Sequence, residues 1–174
     1  MTHYILTAKK NTCTLPDNGV ILKSIVSSEM PTTIAKSFGV ETVDVLTGFK
    51  FIAEKIKNYE ADASKTFLFG FEESYGYLVK AFVRDKDAVQ ATLLLAEVAA
   101  FYKKQGKTAY DGLQDLFAEY GTYQEKTISV NLPGQEGASK IEAILNNLRG
   151  EGLSEIAGQA VVKTEDYLQD TRQF

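Results

Sequence analysis

Little in this sequence carries chemistry by count alone. There is one cysteine, Cys13, so no disulfide can close within the chain. That fits a reducing compartment, and a cytoplasmic location is the expectation. There is one histidine, His3, in a stretch without clear period, where a surface position is expected; one His and one Cys exclude a His/Cys metal site. No apolar run is long enough to span a membrane, and the first residues lack a signal-peptide pattern. Positive charge is not in excess. A net charge of -4 and a pI near 5.1 argue against a nucleic-acid partner, which calls for a basic patch. Repeats and low-complexity tracts are absent. What is left is ordinary globular composition: 174 residues, 44% hydrophobic and 24% charged, enough for one domain and part of another.

Along the chain, residues 1–10 show no period, and Thr14-Leu15-Pro16-Asp17-Asn18-Gly19 reads as a turn. Residues 1–19 are therefore taken as a leader. Residues 20–26 form a strand candidate. Ser28-Glu29-Met30-Pro31 opens a helix with Ile34, Ala35 and Phe38 on its apolar face, and Gly39 ends it. Residues 41–45 read as a second strand. Thr47-Gly48 turns into a helix with Phe49, Ile52, Ala53 and Ile56 at helical spacing, and residues 66–70 form a third strand. Alternation of this kind predicts a parallel sheet with helices on its faces. The loops after residues 26, 45 and 70 then share one edge, where such sheets bind ligands.

A helix over 88–104 is apolar on most faces (Val89, Leu93, Leu94, Leu95, Val98, Phe101) and is expected to be largely buried, with Asp85 or Asp87 capping it. Thr108 opens another helix with Tyr110, Leu113, Leu116, Phe117 and Tyr120 on a stripe. Beyond Gly121 the composition shifts: a strand over 127–132, a helix over 139–148 and a strand over 159–163. So small a β-α-β piece builds little core. The fold class is therefore α/β, a three-layer sandwich with a mainly parallel sheet over 20–121. An incomplete α+β segment follows over 122–174, with the boundary near 122–125.

One stretch concentrates polar groups after an apolar strand: Phe69-Gly70-Phe71-Glu72-Glu73-Ser74-Tyr75-Gly76-Tyr77. Carboxylates accept hydrogen bonds from hydroxyls, and tyrosine offers a flat apolar face, so the cluster suits a polyol such as a sugar. The plain alternative is a strand end with a solvated Glu pair. A glycosidase pair is disfavoured, because neighbours in an extended segment point to opposite faces. A Walker-type phosphate loop is excluded, since no Lys follows the second glycine. A calcium loop at Asp85-Lys86-Asp87 lacks its glycine, Gln90 standing at the sixth position.

Three segments together resemble the α-D-phosphohexomutases, the phosphoglucomutases and phosphomannomutases. Gly70-Phe71-Glu72-Glu73-Ser74-Tyr75-Gly76 is similar to their Gly-Glu-x-Ser sugar loop, with Phe71 where many members carry the glycine. Thr47-Gly48-Phe49-Lys50 resembles the Thr-Gly-aromatic-Lys segment, and Arg84-Asp85-Lys86-Asp87 the Arg-x-Lys-Asp segment. The likeness covers the third of the family's four domains and the opening of the fourth. The phosphoserine, triple-Asp and C-terminal phosphate loops of the other domains do not occur here. The resemblance implies a fragment, inactive alone, that supplies sugar recognition for interconverting hexose 1-phosphate and hexose 6-phosphate. It assigns Glu72, Glu73 and Ser74 to the sugar loop, Thr47 and Gly48 to the cleft wall, and Lys86 to anionic substrate oxygens, with no catalytic residue. It implies magnesium and a hexose 1,6-bisphosphate for the complete enzyme, neither bound here. The other domains of that enzyme are the implied partners, and no membrane is. A stand-alone carbohydrate-binding or regulatory module is the alternative.

Overall fold

Strand β1 (Gly19–Ser24) is buried at every residue. A strand can be so only at the centre of a sheet covered on both faces, which is why it reads as a nearly unbroken apolar run. In this computed structural model, which describes residues 1–126, 131–167 and 171–173, β1 is flanked by two parallel neighbours. They are β2 (Glu41–Val45) and β3 (Thr66–Phe71), and the two-residue β4 (Tyr77–Leu78) adds to β3 antiparallel, for an order β2-β1-β3-β4.

The pleat sends alternate residues to opposite faces. Val20 and Leu22 meet Phe49, Ile52 and Ile56 of α3 (Phe49–Asp62), while Ile21 joins the layer on the other face. That layer is built from α1 (Thr2–Asn11), α2 (Met30–Ser37), α4 (Ala88–Lys103) and α5 (Ala109–Tyr120). Val20 pairs with Phe67 and Ile21 with Phe69, so Leu68 is an extra residue in β3. This bulge turns Leu68 and Phe69 to the same face, both into the larger core. Each fully buried Ile or Leu contributes about 1.5–3 kcal/mol. Helix starts follow local chemistry. The Asp87 carboxylate accepts from the Val89 and Gln90 amides, and Thr108 with Asp111 forms a reciprocal capping box.

Three expectations are corrected. Residues 1–19 are not a leader: α1 occupies 2–11, with Thr2, Ile5 and Leu6 buried and Tyr4 edge-on to Phe101 at 5.4 Å. Two large buried apolar residues in ten are too few to set a visible period. His3 is accordingly half-buried, its ring 5.8 Å from Phe38 and 6.2 Å from Tyr120. Helix α4 buries only Leu94, Val98 and Tyr102, leaving Val89, Leu93 and Leu95 at 81%, 64% and 52% exposure.

The chain divides into two units, Met1–Glu125 and Lys126–Phe174. The second holds α6 (Gly134–Glu151), the antiparallel pair β5 (Glu155–Ile156) and β6 (Gln159–Ala160), and the pair β7 (Thr164–Asp166) and β8 (Thr171–Gln173). The hairpin turn at Ala157-Gly158 has φ of 51° and 80°, and the strand expected over 159–163 is only two residues long, pairing with the two residues of β5. The strand expected over 127–132 falls mostly on 127–130, outside the described residues.

Candidate functional site at the carboxyl edge of the sheet

The carboxyl ends of β1, β2 and β3 open on one edge of the sheet, because the three strands are parallel. After β3 the chain makes a closed turn in which the Glu72 amide donates to the Gly76 carbonyl at 2.9 Å. Glu72 is buried, and its side chain lies against Gly76: a Cβ there would sit 2.6 Å from Glu72 Oε1. Only glycine lets the carboxylate fold in this way. The turn is entered from an aromatic stack, Phe69 on Phe71 at 5.5 Å and Phe69 on Tyr77 at 6.2 Å. Ser74 is exposed, and Tyr75, at φ 62°, is 85% exposed at the turn's tip.

Glu72 and Glu73 point different ways. Glu73 Oε2 accepts a 2.6 Å hydrogen bond from Ser24 Oγ at the end of β1, and Ser24 Oγ lies 2.8 Å from Ser27 Oγ. The loops after β1 and β3 are thus tied together by side chains 49 positions apart. Sequence reasoning missed this link, as it missed Lys23. That lysine is fully buried in β1, directly opposite Asp44 of β2. Its ammonium lies 2.9 Å from Asp44 Oδ1 and 2.8 Å from Glu29 Oε1, and it donates to the Ser27 carbonyl at 3.3 Å. Three donors meet three acceptors, and the 24–29 loop is held over the strand. The available signal was a lone lysine inside an apolar central strand.

The second grouping lies beyond β2 and β4. Thr47 is exposed and Gly48, at φ 121°, precedes α3. Lys86 Nζ sits 5.8 Å from the centre of the Phe49 ring, next to that glycine, and 3.2 Å from Asp85 Oδ1. The 84–87 segment is clamped at both ends. Arg84 forks onto the Glu60 carboxylate of α3, the Asp87 amide donates to the Tyr77 carbonyl at 2.8 Å, and Asp87 caps α4. The Gln90 amide, hydrogen-bonded to the Asp87 carboxylate, holds its pKa below the usual carboxylate value; the Lys86 amide does the same for Asp85. The structure therefore brings Lys86 to Gly48-Phe49, and Glu73 to Ser24 and Ser27. Among the described residues no three His, Cys, Asp or Glu side chains are grouped to hold a metal ion. No described helix is long and apolar enough to cross a membrane.

A mainly parallel three-layer α/β domain with polar loops on the carboxyl edge is the class this architecture defines. A structural relative carries the same fold. The crystal structure of a Thermus thermophilus protein described as a putative phosphomannomutase matches with a TM-score of 0.52 at 20% identity, over 69% of this chain and 25% of that one. Residues 2–120 match the family described as "Phosphoglucomutase/phosphomannomutase, alpha/beta/alpha domain III", and the chain belongs to that family. Its sequence is 41% identical over 153 residues to a phosphoglucomutase of Staphylococcus haemolyticus (strain JCSC1435), covering 88% of this chain and 28% of the relative. It is 43% identical over 149 residues to one from Staphylococcus aureus (strain MSSA476), covering 86% and 27%. The chain thus spans little more than a quarter of the length of these relatives.

Proposed function

We propose that this chain is the sugar-recognition domain of a phosphohexomutase, working within a longer polypeptide that interconverts hexose 1-phosphate and hexose 6-phosphate. The observation that carries the reading is the closed Glu72–Gly76 turn on the carboxyl edge of β3, on the sheet edge where parallel sheets bind ligands. In this reading Glu72 swings from its rest against Gly76 to accept hydrogen bonds from adjacent sugar hydroxyls, and Ser74 contributes a hydroxyl beside it. Hydrogen bonds to an ionised carboxylate are each worth about 1.5–3 kcal/mol. Glu73, engaged by Ser24, fixes the base of the turn. Lys86 faces anionic substrate oxygens, and Thr47 with Gly48 forms the wall beside it.

These groups hold and orient the substrate. The phosphoryl group would come from a phosphoserine in another part of the polypeptide, pass to the hexose monophosphate, and return from the other end of the bisphosphate. Magnesium would supply charge neutralisation at the phosphoryl group, from ligands outside this chain. We therefore expect the isolated chain to be inactive.

The test is a chimera in which this chain replaces the aligned segment of the S. haemolyticus phosphoglucomutase. Interconversion of glucose 1-phosphate and glucose 6-phosphate is expected from the chimera and not from the chain alone. Glu72→Gln in the chimera should lower kcat/KM by about ten- to a hundredfold, since about 1.4 kcal/mol is a factor of ten. Glu73→Gln should cost less. Unchanged kcat/KM in the Glu72 variant, or turnover by the isolated chain, would defeat the proposal. Carbohydrate binding by the chain with an inactive, folded chimera would favour a non-catalytic module.

A further inference from the structure

Helix α4 is apolar on two sides and covered on one. Leu94, Val98 and Tyr102 face the core. The opposite side carries Val89, Thr92, Leu93, Ala96 and Ala99, all exposed, and ends on the exposed Lys103. The Thr92 hydroxyl donates to the Ala88 carbonyl at 2.7 Å, which uses its one donor and leaves only its oxygen to accept from water. Glu97 lies at the margin, within 3.4 Å of the Tyr4 hydroxyl on α1. A helix of 16 residues, about 24 Å long, thus presents to solvent a face that is uncharged up to Lys103 in its last turn. Monomeric proteins rarely leave a continuous apolar patch of that kind uncovered, and a helix apolar all round belongs in an interior.

We infer that the outer face of α4 is a docking surface for a helix of another domain of the same polypeptide. The inference rests on the reading that this chain is one domain of a longer enzyme. What points to that occupant is length. The relatives are more than three times the span matched here, so chain of that extent is available to cover the face. Shape agrees: Ala88, Ala96, Ala99 and Ala100 let a partner helix approach closely, with Val89 and Leu93 as knobs beside them. The docked face also begins beside the candidate site. Asp87 caps α4 directly after Lys86, and Gln90 Oε1 accepts from the Lys80 amide at 2.7 Å. Docking would therefore steady the segment that carries Lys86, coupling domain closure to the grip on substrate anions.

The experiment compares hydrogen exchange in peptides over 88–103 for the 174-residue chain and for the S. haemolyticus chimera. Exchange in α4 is expected to be slower in the chimera by roughly tenfold or more. Leu93→Lys should abolish that difference while leaving the melting temperature of the 174-residue chain within about one degree. Val89→Lys, at the most exposed of the large apolar positions on α4, serves as a second variant. Equal exchange in both proteins would overturn the inference. So would a marked loss of stability in the isolated chain for both variants, which would make the face part of this domain's own packing. A dimer of the chain in light scattering that Leu93→Lys disperses, with no effect in the chimera, would assign the face to a second copy instead. Activity separates the two readings: a protected α4 in an inactive chimera defeats the catalytic proposal alone, and an active chimera with unprotected α4 defeats this one alone.

Discussion

The two units of the chain are built on different scales. Met1–Glu125 wraps a four-stranded sheet in helices and holds both clusters of buried apolar side chains. In Lys126–Phe174 the described strands are two or three residues long, and α6 leaves Ile141, Ile144, Leu145 and Leu148 at 40–51% exposure. Leu145 and Leu148 line an open groove of about 680 Å³ with Ile156 and Val161. An amphipathic helix and two short hairpins cannot exclude water as a layered sheet does, because too little of their surface faces other protein. One unit therefore closes a core, and the other leaves its apolar side chains only partly covered.

Core truncation should expose the contrast most strongly. Ile52, 1% exposed, packs in the smaller core under β1. Ile52→Ala should cost about 2–5 kcal/mol in denaturant unfolding. Leu145→Ala, at a 44% exposed position, should cost less than about 1 kcal/mol. Equal losses would mean that the second unit has a core of its own. Hydrogen exchange should follow the same division, with β1 amides the slowest and the β5–β6 pair far faster.

Two glycines sharpen the comparison. A Cβ on Gly112 would lie 2.3 Å from the Tyr102 ring, whereas nothing lies within 4 Å of one on Gly150. Gly112→Ala should destabilise by about 1–3 kcal/mol through overpacking between α4 and α5. Gly150→Ala should stabilise α6 by up to about 1 kcal/mol through helix propensity. Melting curves of both variants would show opposite signs; a shared sign would remove the distinction.

The smallest effect concerns pH. Burial lowers the pKa of His3, outweighing the opposite pull of Glu119, and the chain's amino terminus adds to the lowering. The unfolded chain takes up this proton near pH 6.5 and the folded one only at lower pH. The stability tied to neutral His3 is thus complete above about 6.5 and is lost as pH falls through the folded value. His3→Gln should flatten that part of the pH–stability curve. Protection factors in the second unit, which has no histidine, should not respond over the same window once the intrinsic pH dependence of exchange is divided out. A wild-type curve already flat there would break the assignment.

Much of the first unit was legible because its elements obey simple periods. The three parallel strands, α2 and α3 each follow from spacing and turn residues, and the edge that carries Glu72 and Gly48 follows from their alternation. What stayed hidden depends on partners remote in sequence. Ile5 and Leu6 mark a helix only once a core receives them. The apolar character of α4 was plain, but composition cannot say which side of a helix is covered. Lys23 looked like an interruption in β1 until Asp44 and Glu29 came alongside. The bond between Ser24 and Glu73 leaves no local trace. In the second unit, strands of two residues are too short to show any alternation.

The order β2-β1-β3-β4 has a consequence for how the protein is made. The central strand is the earliest in the chain, so a ribosome releases β1 before either neighbour exists. Its pairing with β3 must wait for some tens of further residues, on the order of several seconds at about 5–20 residues per second. Through that interval a largely apolar stretch can pair on one side only, with β2, while its other edge stays open. The step most open to misassembly in the cell is therefore the wait of the innermost strand for its second partner, and nascent-chain binding by a chaperone should centre on residues 19–24.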